Sequence, residues 1–441
     1  MPEALTEPRP QTQETGLPPW TVVLPTIGSA GDVHPVLGVA QELRRRGHQV
    51  IIATSSHYEE LIRGLEFDFH QLLDTTRLEH LADHPHMWDR WRAFPLLATE
   101  AIVPAIRPLY ELLAGMAGSR VLVAASSLCL GARLAQEKLG LPLISLVLQP
   151  VVFRSRVEPV GAPHRAFDPG WPRWRKNLAY WLADRFLIDR PIQGPLNALR
   201  RELGLPPVRR IFENWIHSPN GTICLFPEWY APPQADWPAS VTFADFPLFD
   251  PHEDSLLPDR VDAFLREGDP PILFTFGSEM RQIGATLNRS IETCRVLARR
   301  ALLVSRHADR SPVHADGHSS LVADFLPLSR VLPRCAAIVH HGGIGTLSRG
   351  LQAGIPQLAV PMAHDQPDNA RRLAHLGVGN WIDPDEFHPR RVAQNLEALL
   401  SDPPVWQRCE DLAARLSPGR GIAMACDALE REMLLREAGG F

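Results

Sequence analysis

Apolar residues fall in short runs along this chain, and the stretches between the runs carry apolar positions at helical spacing. TVVLPTIG (21–28) leads through a glycine turn into VHPVLGVAQELRRRGHQ, which has helical periodicity, and then into VIIAT (50–54). Strand, loop, helix, strand is the opening of a parallel α/β sheet. SRVLVAASS, LPLISLVLQ and GTICLFP continue the series. Between Ala231 and Arg260 the proline-rich segments APPQADWP and FPLFDPHEDSLLPDR interrupt it. A second series begins at PPILFTFGS (270–278) and runs through ALLVSR, SLVADFLP, AAIVHHGG and IPQLAVP. The pattern predicts an α/β protein of two Rossmann-like parallel-sheet domains facing a cleft, with ligands at the C-terminal ends of the strands. The expected divisions are a disordered, proline-rich tail at 1–19, an N-terminal domain at 20–240 and a proline-rich linker at 241–268. A C-terminal domain at 269–420 and a terminal helix at 421–441, packing back on the first domain, complete the scheme.

Length agrees with two domains, since 441 residues exceed one ordinary core. The chain is 45% hydrophobic with a net charge of -5, an ordinary globular profile without the basic footprint of a nucleic-acid binder. Six scattered cysteines with no CxxC spacing suit a reducing compartment, and a cytoplasmic location is expected. The longest apolar run, LPLISLVLQPVVF (141–153), is too short and too interrupted to span a membrane.

The most informative stretch is HHGGIGTLSRGLQAGIPQLAVPMAHDQPDN (340–369). AAIVH reads as a buried strand and GTLSRGLQA as a short helix ended by Gly354, with Gly342, Gly343 and Gly345 between them. A glycine turn feeding a helix N-terminus offers unpaired N–H groups and a positive dipole end, which suits a diphosphate. Thr346 can add a hydroxyl and His340 a side-chain donor. For a lone glycine cluster, a tight turn with incidental histidines is the simpler explanation. Asp365 and Gln366, one strand later at the same sheet edge, shift the balance toward a bound sugar.

HHGGIGT, AGIPQLAVP and HDQPDNA together resemble the donor signature of family 1 glycosyltransferases of the GT-B fold. The resemblance extends to GSAGDVHP (28–35), to FGS (276–278) and to nearly the whole chain from Thr21. Within the family, LNALRRELGL and RRIFENWIHSPNGTICLFPEWYAPPQADWP resemble the rhamnosyltransferases of bacterial rhamnolipid biosynthesis. The resemblance implies donor binding by Ser278, His340, Gly342, Gly343, Gly345 and Thr346 at the diphosphate, by Asp365 and Gln366 at the sugar, and by Phe325 at the base. It assigns the first domain to the acceptor and the second to the nucleotide sugar. Leu328 stands where many relatives carry Gln, and Ser348 where uridine-specific plant enzymes carry a ribose-binding Glu. Loss of that carboxylate favours dTDP over strict UDP use.

GSAGDVHP fails as a dinucleotide fingerprint, because Ala30 and Val33 occupy glycine positions and no acid ends the second strand. In the family this loop supplies the catalytic base, here Asp32; the alternative is a helix N-cap aspartate. The implied reaction is inverting and metal-independent, with no cofactor beyond the dTDP- or UDP-linked donor. The first-choice donor is dTDP-L-rhamnose, and the acceptor is a hydroxyl of a hydrophobic small molecule or lipid. His34 is the second candidate for the base. A nucleotide-sugar epimerase and a non-catalytic sugar-nucleotide-binding partner protein are the competing functions. His80, His84 and His86 include an i,i+4 pair, but there is no HExxH and Pro85 breaks the helix between the last two, which argues against zinc. DPD at 383–385 reads as a turn and cap rather than a metal-binding DxD.

WPRWRKNLAYWLADRFLI (171–188) places Trp174, Leu178, Trp181, Leu182 and Phe186 on one helical face. Core packing is the default expectation for such a stripe. The functional alternatives are an acceptor-pocket wall, which is preferred, and a weak membrane-surface contact beside Arg173, Arg175 and Lys176.

Overall fold

The computed structural model describes residues 18–158, 170–253, 255–277, 283–307 and 313–439. Two sheets organise them. The first contains β1 (Thr21–Pro25), β2 (Gln49–Ser55), β3 (Asp68–Leu73), β4 (Val121–Ser126), β5 (Leu143–Val147), β6 (Thr222–Cys224) and β7 (Val241–Phe243), in the order β3-β2-β1-β4-β5-β6-β7. The second contains β8 (Ile272–Thr275), β9 (Ala301–Val304), β10 (Ser320–Ala323), β11 (Ala337–His340), β12 (Gln357–Ala359) and β13 (Gly379–Trp381), in the order β10-β9-β8-β11-β12-β13. Among the described residues every strand pairing is parallel. The expected α/β architecture of two Rossmann-like sheets is therefore the observed one.

Both sheets are covered by helices, which is why their strands are continuous apolar runs instead of alternating ones. The central strands β1, β4, β8 and β11 are almost wholly buried. Each sheet reverses its strand order beside its first strand, and crevices open at such reversals. A buried apolar cluster runs between the halves, joining Phe226, Tyr230, Phe246 and Leu248 to Phe274, Phe276 and Ile344.

The expected linker at 241–268 is shorter than its proline content implied. It begins with β7, which pairs with β6, and it ends in the helix Asp259–Arg266. Edge strands tolerate the surrounding prolines because one side of the backbone needs no partner. No helix among the described residues is long and apolar enough to cross a membrane.

After the second sheet the chain returns. The helix Arg420–Gly439 lies against the helix Ala30–Arg45, burying Ile422, Cys426, Leu429 and Met433 among Val33, Val36 and Leu37. Polar contacts fix it: Arg46 reaches Asp427 at 2.6 Å and Glu430 at 2.7 Å, and His48 Nε2 meets Glu430 at 3.1 Å. His48 Nδ1 accepts the Trp20 N–H, so Nε2 is the nitrogen left to donate. Leu429 is fully buried in this contact. Leu429→Ala is expected to lower the unfolding free energy by about 2–5 kcal/mol. Chemical denaturation measures it, and a change within experimental scatter would show that the terminal helix adds nothing to the first half.

Candidate active site

The outgoing loops of both sheets meet in a cleft of about 650 Å³. From the first half come Gly28 to Asp32, His34 and Gln149; from the second come Phe325, His341, Gly343, Gly345, Thr346, Asp365 and Gln366.

Asp32 owes its position to a capped helix start. Ser29 has the extended backbone of an N-cap, and Asp32 is the third residue of the helix Ala30–Arg45. Its Oδ2 accepts the Ser29 N–H at 2.9 Å and the Ser29 hydroxyl at 3.3 Å. The alternative of Asp32 as N-cap is thus corrected, because Ser29 takes that role and Asp32 reaches back to it. Gly28 makes room. Its φ is +145°, and a Cβ there would stand 2.1 Å from Asp32 Oδ2. Burial raises the Asp32 pKa to about 6, against the opposing hydrogen bonds from Ser29 and Gln149. This carboxylate is a stronger base than an ordinary aspartate. His34 lines the same cleft, where burial lowers its pKa to about 4 and keeps it neutral.

Opposite lies the turn from β11 into the helix Ile344–Ala353. Gly342 has φ +89° and a virtual Cβ 3.1 Å from Gln366 O, so it serves the turn. Gly345 is different: a Cβ there would meet no protein atom within 4 Å. It is exposed at the helix N-terminus and lines the cleft. Thr346 is half-buried beside it.

The histidine reading needs correction. His340 is fully buried, its Nδ1 accepts the Gly342 N–H at 3.1 Å, and it does not line the cleft. Burial lowers its pKa to about 3, partly offset by its contact with Gln357. The cleft-facing residue is His341, likewise kept neutral by burial, with a pKa of about 4. Successive side chains at a strand end point to opposite sides. One of two adjacent histidines must turn inward, and it is the first. Ser278 lies outside the described residues.

Asp365 follows His364, a non-glycine residue at φ +59°. Such a conformation costs on the order of 1–3 kcal/mol and persists only where its surroundings impose it. Here the half-buried His364 ring sits edge-on to Trp88 of the first half, 6.1 Å between centroids. Asn369 Nδ2 donates to Asp365 Oδ2 at 2.6 Å and to Gly342 O at 2.9 Å, while the Tyr230 hydroxyl donates to Asn369 Oδ1 at 2.9 Å. A hydrogen-bonded chain thereby runs from the first half to the Asp365 carboxyl. Burial, with the Asp32 charge added, raises the Asp365 pKa to about 7, opposed by its own backbone, Asn369 and the Ile344 N–H. Gln366 Oε1 accepts the N–H groups of Met362 (2.9 Å) and Ala363 (3.3 Å), which leaves Nε2 for a ligand.

Sequence reasoning missed Asn369, Tyr230, His341 and Arg306. Asn369 stands four residues after Asp365, so helical spacing was an available signal; Tyr230 had none. Arg306 lies 5.0 Å from the centroid of the exposed Phe325 ring, and His252 meets that ring edge-on at 5.2 Å. Ser348 lines the same region, but its hydroxyl donates to Gly345 O at 2.9 Å, back onto its own helix. Trp88, Trp91, Phe94, Val152, Leu187 and Phe212 give the first-half side of the cleft an apolar wall. The DPD segment forms the anticipated capped turn, Asp383 accepting from the Asp385 N–H. Among the described residues no three His, Cys, Asp or Glu side chains gather as a metal site.

Residues 22–155 match the glycosyltransferase family 28 N-terminal domain, and residues 309–420 the erythromycin biosynthesis protein CIII-like C-terminal domain. Glycosyltransferase GtfE of Amycolatopsis orientalis is 30% identical over 424 residues, covering 92% of this chain and 96% of that one. The chain belongs to the glycosyltransferases. This transferase is also 27% identical to O-mycaminosyltylonolide 6-deoxyallosyltransferase of Streptomyces fradiae, over 93% of this chain and 96% of the relative. Spinosyn rhamnosyltransferase SpnG, solved with thymidine diphosphate, shares the fold at a TM-score of 0.64 and 15% identity, covering 92% of this chain and 100% of its own. The GT-B fold and the nucleotide-sugar dependence of the transferase follow.

The contact between Gly28 and Asp32 gives a test of the site. Gly28→Ala adds a methyl where the carboxylate lies, so transferase activity should fall by about 10²-fold or more, as when a general base is lost. Nucleotide binding, measured by calorimetry, should stay near wild type. Wild-type turnover in this variant would mean that the position of Asp32 does not matter to the reaction.

Proposed function

We propose that the chain transfers a sugar, with inversion, from a nucleoside diphosphate to a hydroxyl of a hydrophobic acceptor. One observation carries this reading: the Asp32 carboxylate lines the same cleft as the glycine-containing helix N-terminus of Gly343, Ile344, Gly345 and Thr346. The acceptor oxygen attacks the anomeric carbon as the bond from that carbon to the diphosphate oxygen breaks. The acceptor proton passes to Asp32. Negative charge develops on the departing diphosphate, where the N-terminus of Ile344–Ala353, the Thr346 hydroxyl and His341 can meet it. Asp365 and the Gln366 Nε2 hold the sugar hydroxyls, and Phe325 with Arg306 takes the base. The apolar wall of Trp88, Phe94 and Leu187 supports a hydrophobic acceptor.

L-Rhamnose from dTDP-L-rhamnose is the donor we favour. The resemblance to the rhamnosyltransferases of rhamnolipid biosynthesis and the rhamnosyl activity named for SpnG both support it. The Ser348 hydroxyl, occupied within its own helix, makes no demand on a ribose diol. Hence dTDP should raise the melting temperature at least as much as UDP at matched concentrations, since a ligand stabilises the native state by RT ln(1 + [L]/Kd). A clear UDP preference would sink the deoxyribose argument.

Asp32→Asn separates base from scaffold. Asn retains an oxygen for the Ser29 N–H but cannot take a proton, so kcat/KM should fall by about 10²–10⁴-fold with nucleotide affinity unchanged. In the unsubstituted enzyme the active form is the carboxylate. Activity should therefore rise with pH through about 6, the Asp32 pKa, and level off above it. Near-normal transfer by Asp32→Asn would move the base to His34.

A further inference from the structure

The stripe expected to pack in the core or to line the cleft does neither. In the helix Arg173–Ala183 and the wider turn Asp184–Ile188 that continues it, Trp174 is 66% exposed, Trp181 54% and Phe186 52%, with Leu178 and Leu182 also open to solvent. Such a large apolar patch on a chain of net charge -5 marks a surface that something covers. The inward face of the same segment is the one in use. Tyr180, Ala183, Leu187 and Ile188 line the cleft, and the Tyr180 hydroxyl donates to Ser155 O at 2.9 Å. One turn of chain therefore separates the cleft from the exposed aromatic face.

Charge identifies the occupant. Arg173, Arg175, Arg185 and Arg190 are exposed on this segment. Its two acids are not. Asp184 is buried against Arg154, and Asp189 is buried accepting the N–H groups of Ile211 and Phe212. Lys176 also turns inward and donates to Arg156 O at 3.0 Å. The outward surface of 171–190 thus carries arginines and aromatic rings with no exposed carboxylate of its own. Arg175 lies over the Trp171 ring at 4.0 Å and Arg185 over the Phe186 ring at 5.6 Å, so cations and rings are interleaved along the segment. Tryptophan at an apolar–polar boundary, flanked by arginine, suits the headgroup level of a bilayer.

We propose that residues 171–190 dock the protein on an anionic lipid surface, with the helix lying in the plane of the headgroups and the cleft opening beside it. The docking does not depend on the identity of the donor, and its test requires no turnover. Vesicles of phosphatidylglycerol and phosphatidylcholine, compared with pure phosphatidylcholine, are sedimented with the full-length protein at low and high salt. Wild type should pellet with the anionic vesicles and be released by salt. A Trp174→Ser, Trp181→Ser, Phe186→Ser variant should lose vesicle binding by at least ~10-fold, given the area of the rings removed. Arg173→Gln with Arg175→Gln should weaken it by about 5-fold for each charge. These side chains are exposed, so melting temperature and dTDP binding should hold at wild-type values and confirm folding. Absence of wild type from the anionic pellet, or equal pelleting by the triple variant, overturns the proposal. So does a dimer on size-exclusion chromatography that the triple variant converts to monomer, which would assign the patch to a second copy.

Discussion

Two carboxylates from different sheets share one desolvated cleft, and the surrounding structure answers the cost of charging them both. Asp32 is steadied by the backbone and hydroxyl of Ser29, and Asp365 by Asn369 and the N–H of Ile344. Each set of donors is local to its own half, so neither acid depends on the other for its geometry. They do depend on each other for their charge. Ionisation of one makes ionisation of the other harder, and an incoming group that draws them apart or neutralises one changes the basicity of the other.

Much of this was legible in the residues. The apolar runs mark most of the strands, and the glycine turn with Asp365 and Gln366 marks the second half of the cleft. What could not be read was direction. Adjacent histidines at 340 and 341 carry no sign of which turns inward, because the parity of the strand is set by the register of β11 against β8 and β12. The tryptophan stripe shows the same limit. Its helical spacing is plain, yet whether a neighbour covers that face is a tertiary fact, and here the buried side is the less apolar one. β7 was hidden by proline, and its three residues are too few to show a period. Tyr230 was invisible because its partner, Asn369, lies 139 residues away.

The two halves differ in the work their irregularities do. The second keeps short strands and compact helices, with left-handed residues at Ala298 and at His364, the latter next to Asp365. The first departs from regularity between β5 and β6, where wide helical turns at Asp184–Ile188 and Ile211–Trp215 form part of the apolar wall.

The return of the chain has a mechanical meaning. It passes between the halves once between β7 and the helix Asp259–Arg266, and again between the helix Pro403–Ala413 and the helix Arg420–Gly439. A body tethered at one point can swivel in any direction, whereas one tethered at two turns only about the line joining them. The double passage therefore ties the two sides of the cleft at two places, with the apolar seam packed between them. A cut in either strap would leave the halves together, since the apolar seam at Tyr230 and Phe246 would still hold them.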